Sequence, residues 1–160
     1  MAQGETIIDR PLRFTRRPVS VPGEARPDWK LGLLVLMLGV SSRGARSSLG
    51  RLHILNWAAR TAENRKAFAA LLNKNKGHAG FSIRFEPAFS RSLDLAIGEG
   101  ILEWASTNRV SLTPHGANYA KQILNDPELM RAETTFFKHI GKRFTENAAQ
   151  SVLAPRLYAS

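Results

Sequence analysis

Apolar and polar positions alternate along the chain with periods that change several times, and each change marks an element. The longest apolar run is Leu31 to Val40, with no charged residue inside it. Ten residues of helix reach about 15 Å, half of a bilayer span. The run therefore predicts a buried helix over about Asp28 to Ser41. It starts at Pro27-Asp28 with Asp28 as N-cap and ends at Ser-Ser-Arg-Gly. Being apolar all round, it must be enclosed on every side or shared with a second subunit. A second helix, about Ser47 to Ala59, carries two apolar stripes: Leu49, Leu52, Leu55 and Ala59, then Ile54, Trp57 and Ala58. Such a helix is sandwiched. Thr61 caps a third, about Ala62 to Lys74, with Phe68, Leu71 and Leu72 inward.

After the loop Gly77 to Gly80, Phe81 to Phe85 alternates and reads as a short strand. Pro87 opens a fourth helix, about Pro87 to Gly98, with Phe89, Leu93, Ala96 and Ile97 inward. Ile101 to Ala105 and Val110 to Leu112 flank a polar turn, Ser106 to Arg109, and together read as a β-hairpin. Thr113-Pro114 starts a fifth helix to about Leu124, and Asp126-Pro127 repeats the device for a sixth. The sixth helix has Leu129, Met130, Phe136, Phe137 and Ile140 on its apolar side, and a last helix follows over about Thr145 to Leu153. Residues 1–27 hold Pro11, Pro18, Pro22, Pro27, Gly4 and Gly23, which break regular structure. Their apolar residues Ile7, Ile8, Leu12, Phe14, Val19 and Val21 predict an extended arm that packs on this domain or on a partner.

A helix, a β-hairpin and then a helix opening with Leu-Thr-Pro is the order of a winged helix-turn-helix. In GEGILEWASTNRVSLTPHGANYAKQIL, Gly100 tolerates the left-handed turn after a helix. Ile101 and Leu112 fill the core from both strands, and Leu102, Thr113 and Gly116 complete the Gly-Ile-Leu and Leu-Thr-x-x-Gly pattern. The fold expected is mainly α: a winged helix over residues 28–125 with a β-hairpin wing, an arm over 1–27 and a C-terminal helical extension over 126–160.

Charge sharpens this picture. The 160 residues hold 23 Lys and Arg against 13 Asp and Glu, a net charge of +10. An excess this large favours a polyanion or an acidic partner. Between residues 31 and 76 lie Arg43, Arg46, Arg51, Arg60, Arg65, Lys66, Lys74 and Lys76 against the single acid Glu63. The plain alternative is a solvated basic face without a ligand. Arg84 beside the strand and Arg109 at the wing tip suit contact with phosphates. The helix before the hairpin offers Ser90, Arg91 and Asp94 outward; one cation beside an acid is a poor base reader, and Arg91 with Asp94 reads better as an i,i+3 ion pair. Sequence-independent contact with duplex DNA is therefore expected through Arg43, Arg46, Arg51, Lys74, Lys76, Arg84, Arg91 and Arg109.

Catalytic chemistry is sparse. There is no cysteine, hence no disulfide or thiolate. His53, His78, His115 and His139 fit no HxxxH or HExxH spacing and read as core or surface residues. No glycine pattern matches a phosphate-binding loop, so ATP hydrolysis by this chain is not expected. Ser41, Ser42, Ser47 and Ser48 have no placed His and Asp, and Glu99 with Glu103 straddles a helix-to-strand junction. The expectation is a non-enzyme without metal or cofactor. Residues 1–20 show no signal-peptide pattern and no apolar run spans a bilayer, which points to the cytoplasm.

The longer pattern IRFEPAFSRSLDLAIGEGILEW…VSLTPHGANYAKQIL, with the LGRLHILNWAAR helix and the apolar helix before it, narrows the family. Over residues 28–125 it resembles the small middle components of three-component ABC-ATPase systems, including Lamassu-type antiphage defence with its SMC-like ATPase. The resemblance implies an accessory subunit, without an active site, that bridges an SMC-like or ABC ATPase to an effector subunit or to duplex DNA. The rival is a homodimeric winged-helix transcriptional regulator. The first helix has more large side chains than a chain of this size buries comfortably, and the Phe136-Phe137 helix adds a second apolar face. Leu33, Leu36, Met37, Phe136 and Phe137 are therefore expected at a partner interface, unless the two helices pack on each other.

Overall fold

The computed structural model describes residues 26–74 and 83–157. It is mainly helical, with one small antiparallel sheet. Helix α1 (Pro27–Ser41) carries Pro27 in its first turn, where a missing N–H costs nothing, and Arg26 rather than Asp28 is the N-cap residue. Every residue from Gly32 to Leu38 is buried. The all-round apolar helix is thus the central one: α2 (Leu49–Ala59), α4 (Pro87–Gly98), α5 (Pro114–Asn125) and α6 (Arg131–Ile140) all pack against it. Its end is fixed by two serines. The Ser42 hydroxyl donates to the Met37 carbonyl at 2.8 Å, and the Ser41 hydroxyl donates to the Phe137 carbonyl of α6 at 3.0 Å.

A single 3-10 turn follows, with Gly44 and Ala45 both left-handed (φ +62° and +52°). It reverses the chain into strand β1 (Arg46–Ser48), where the sequence pattern predicts the start of a helix. Ser48 caps α2, accepting from the Arg51 N–H at 3.3 Å. Thr61 caps α3 (Ala62–Lys74) through the Asn64 N–H at 3.0 Å. The strand expected over Phe81 to Phe85 is not formed by residues 83–85, which run into α4 without regular structure, and residues 81–82 lie outside the described ones.

The hairpin is present. Strands β2 (Leu102–Ser106) and β3 (Arg109–Leu112) pair around the two-residue turn Thr107-Asn108, tighter than the four-residue turn expected. Strand β1 adds to the free edge of β3, giving the order β1-β3-β2. Gly100 is left-handed (φ +70°), as the turn out of α4 requires. Gly116 serves differently: a Cβ there would run into the Ile101 carbonyl oxygen, so α5 can lie against the strand start only without a side chain. Thr113 caps α5, accepting from the Gly116 N–H at 3.1 Å.

Asp126-Pro127 opens a turn rather than a helix. The Asp126 carboxylate accepts from the Glu128 N–H at 3.0 Å, and α6 begins only after the left-handed Met130 (φ +49°). Helix α7 (Glu146–Leu157) then packs on α2. The residues expected as a C-terminal extension share the core of the rest. Phe68 of α3 meets Phe136 and Phe144 edge-on, with ring centroids 6.0 and 4.9 Å apart. This overturns the expected partner interface. Leu33, Leu36, Met37 and Phe137 are fully enclosed and Phe136 is 6% exposed, because α1 and α6 pack on each other.

Candidate nucleic-acid interface

The sheet sets out the cations. In β1, Arg46 lies opposite Ser111 of β3, and Ser48 lies opposite Arg109. Alternate residues of a strand share a face, so Arg46 and Arg109 are diagonal neighbours on one side of the sheet. Val110, between them in the pleat, points the other way into the core. The 3-10 turn adds Arg43, and the loop between α6 and α7 adds Lys142. These four line a cleft of about 400 Å³ beside strands β1 and β3, whose lining also includes Ser41, Phe144, Thr145, Glu146 and Asn147. Among the described residues none of the four makes a side-chain hydrogen bond or an ion pair within 4 Å. Backbone and core fix their attachment points while the charges stay available.

Arg51 also borders this cleft, but it is spent on the fold. It is 3% exposed. Its Nε donates to the Phe144 carbonyl at 2.8 Å, one terminal nitrogen donates to the Ser42 and Ser47 hydroxyls at 2.7 and 3.1 Å, and the other donates to the Ser41 carbonyl. Burial lowers its pKa, and the nearby Glu146 carboxylate opposes that shift. Arg51 thus ties the end of α1, strand β1 and the segment before α7 together, which removes it from the expected phosphate contacts. Glu146 is the one acid in the cleft lining, and it too is occupied: its oxygens accept from the Ser48 N–H at 2.9 Å and the Ser48 hydroxyl at 2.6 Å. Burial works to raise its pKa, but those bonds and the charges of Arg51 and Arg109 outweigh it and hold the carboxyl below its usual value.

The cleft gathers Arg43, Arg46 and Arg109 of the cations expected from sequence, with Lys142, which sequence reasoning passed over. A signal existed: Lys142-Arg143 follows Gly141 directly at a helix end. Arg143 is engaged elsewhere, donating to Asn73 and to the carbonyls of Ile140 and His139. Arg84 and Arg91 are exposed but lie outside the cleft. The side chain of Lys74, and Lys76 as a whole, lie outside the described residues. On α4, Ser90, Arg91 and Asp94 all face solvent, and Arg91 forms no ion pair with Asp94; among the described residues the ion pair within 4 Å is Lys30–Glu86.

That pair belongs to the fold. Lys30, 3% exposed, donates to both Glu86 carboxylate oxygens at 3.0 Å and so ties α1 to the start of α4; Asn56 of α2 donates to the same carboxylate at 3.1 Å. His53 stacks on Phe85 at 4.2 Å and meets Phe89 edge-on at 5.1 Å. Burial lowers its pKa against the pull of Glu86, and its Nδ1 has no hydrogen-bond partner among the described residues. His115 and His139 are exposed, and His78 lies outside the described residues. Ser41, Ser42, Ser47 and Ser48 are all held in structural hydrogen bonds. Among the described residues no three His, Asp or Glu side chains converge on a point that could hold a metal ion, and no helix is long and apolar enough to cross a membrane. Compared with protein-family models, curated proteins and solved structures, the chain matches none.

Proposed function

We propose that this chain is a non-enzymatic winged-helix accessory subunit of an ABC or SMC-like ATPase antiphage defence complex, and that it holds duplex DNA by its phosphates. In this reading β2 and β3 form the wing and α4 is the helix of the helix-turn-helix. The observation that carries the DNA part is the cleft beside strands β1 and β3, where Arg43, Arg46, Arg109 and Lys142 stand together without ion-pair partners within 4 Å among the described residues. Cations set on a rigid sheet and turn fix a backbone without reading bases. The face of α4 supports the same view, since its single cation Arg91 beside Asp94 is poorly suited to the bidentate contacts that read base edges. The ATPase and the effector as partners rest on the sequence resemblance over residues 28–125.

The test has two arms. Binding of the purified chain to two duplexes of equal length and unrelated sequence should give the same affinity. Coexpression with the products of the adjacent genes should bring down a large ATPase. A strong preference for one palindromic sequence, bound by a stable homodimer, would replace this reading with that of a transcriptional regulator.

A further inference from the structure

The three-stranded sheet carries all its charged residues on one face. Directly opposed residues of antiparallel strands share a face, so Arg46, Ser111 and Glu103 form one row across β1, β3 and β2. Ser48, Arg109 and Ser106 form the next row on that face. Ser47, Val110 and Leu102 belong to the other face and are buried. Glu103 therefore shares the outer face with both arginines, and it is exposed. The charge there is lopsided: residues 43–48 hold Arg43 and Arg46 and no acid, whereas residues 102–108 hold Glu103 and no Lys or Arg. Glu146, the acid of the cleft lining, is occupied by Ser48. Glu103 makes no side-chain hydrogen bond and no ion pair within 4 Å among the described residues.

We propose that Glu103 is the boundary residue of the phosphate track: it turns a nucleic-acid backbone away from β2 and toward Arg43 and Lys142. The inference rests on the reading of the cleft as a phosphate site. Its charge is close enough to count. Neighbouring strands are about 4.8 Å apart, so two spacings set Glu103 roughly 10 Å from Arg46. Arg109 is a diagonal neighbour of Glu103, about 7–8 Å away. Both separations lie within the Debye length of about 10 Å at 0.1 M salt. A phosphate held by Arg109 therefore feels the carboxylate and is repelled by it. Toward β1 the next charges are Arg46, Arg43 and Lys142, cations without ion-pair partners within 4 Å among the described residues. The outer face thus runs from attractive at β1 to repulsive at β2. Such a gradient sets the side on which a duplex lies without reading its sequence.

Glu103→Gln removes the charge and keeps the shape. Its control is Glu128→Gln, which makes the same change in net charge at an exposed acid before α6, outside the cleft. Affinity for a labelled duplex is read by fluorescence anisotropy over a salt series, with circular dichroism to show that each variant is folded. At low salt Glu103→Gln should bind about two- to three-fold more tightly than Glu128→Gln, a gap that closes as salt rises. Glu103→Arg should carry the track onto β2 and steepen the slope of log K against log salt by about 0.9. Equal affinities for Glu103→Gln and Glu128→Gln, or a Glu103→Arg slope equal to that of the wild type, overturn the proposal. Arg46→Gln with Arg109→Gln separates this from a failure of the cleft itself. If that double variant loses affinity while the Glu103 variants change nothing, the boundary alone is discarded. If it binds like the wild type, the cleft is discarded and the boundary with it.

Discussion

Replacing Arg51 by methionine keeps the length of the stem and removes the guanidinium. Two backbone carbonyls, those of Ser41 and Phe144, then lose their donor inside the fold. A buried acceptor left unpaired costs about 1–3 kcal/mol, so the two together cost about 2–6 kcal/mol. The Ser42 hydroxyl is partly spared, because it still donates to the Met37 carbonyl. Removing a buried charge also removes its desolvation penalty, and the methionine stem refills part of the space, so the net loss falls toward the lower half, about 3 kcal/mol. For a chain of this size that corresponds to a fall in melting temperature of about 6–12 °C. Urea unfolding followed by far-UV circular dichroism measures the first quantity and a thermal scan the second. The DNA measurement is made at a temperature where the variant is fully folded, and affinity there should match the wild type. A stability change below about 1 kcal/mol together with a large loss of DNA affinity would refute the reasoning, since it would make Arg51 a contact residue rather than a strut.

Two further outcomes come from the packing. Gly116→Ala should destabilise by about 2–3 kcal/mol in the same unfolding assay, because the new Cβ meets the Ile101 carbonyl oxygen, a backbone atom that cannot move aside; Gly98→Ala, with open space around it, should change stability far less. His53 makes stability depend on pH. Its folded-state pKa is depressed, so the unfolded chain takes up the proton first as pH falls. Its contribution is therefore full above about pH 6.5, declines below that, and levels off beneath the folded-state pKa. The slope should be absent from His53→Phe, measured by urea midpoints from neutral pH down to the range where carboxylates begin to titrate. Below that range Glu86 and Glu146, both held under their ordinary values, lose their own contributions in either protein.

Helices with local punctuation were legible in the sequence. Thr61, Pro87 and Thr113-Pro114 mark the starts of α3, α4 and α5 because capping and a fixed φ act within a turn of the residue itself. The unbroken apolar run of α1 announced burial on all sides, but not that the fold supplies every covering helix from this same chain. Strand β1 was illegible for the opposite reason. Three residues, Arg46 to Ser48, hold no periodicity, and their conformation is fixed by pairing with the distant β3. Asp126-Pro127 misled because the same side-chain bond that caps a helix also closes an Asx turn. Within the candidate site, composition located the basic stretch without sorting it. Arg46 and Arg51 look alike in sequence, yet one stands on the exposed face of an edge strand and the other turns inward from α2 to four acceptors. Lys142 joined the cleft only through the return of α6 and α7 to the sheet.

The salt dependence of duplex DNA binding tests the phosphate cleft most directly. Each phosphate neutralised contributes about −0.9 to the slope of log K against log salt. Four cations in the cleft predict a slope of about −3 to −4, and Arg46→Gln with Arg109→Gln should reduce its magnitude by about 1.8 in a variant that circular dichroism shows to be folded. An unaltered slope in that folded double variant would contradict the assignment.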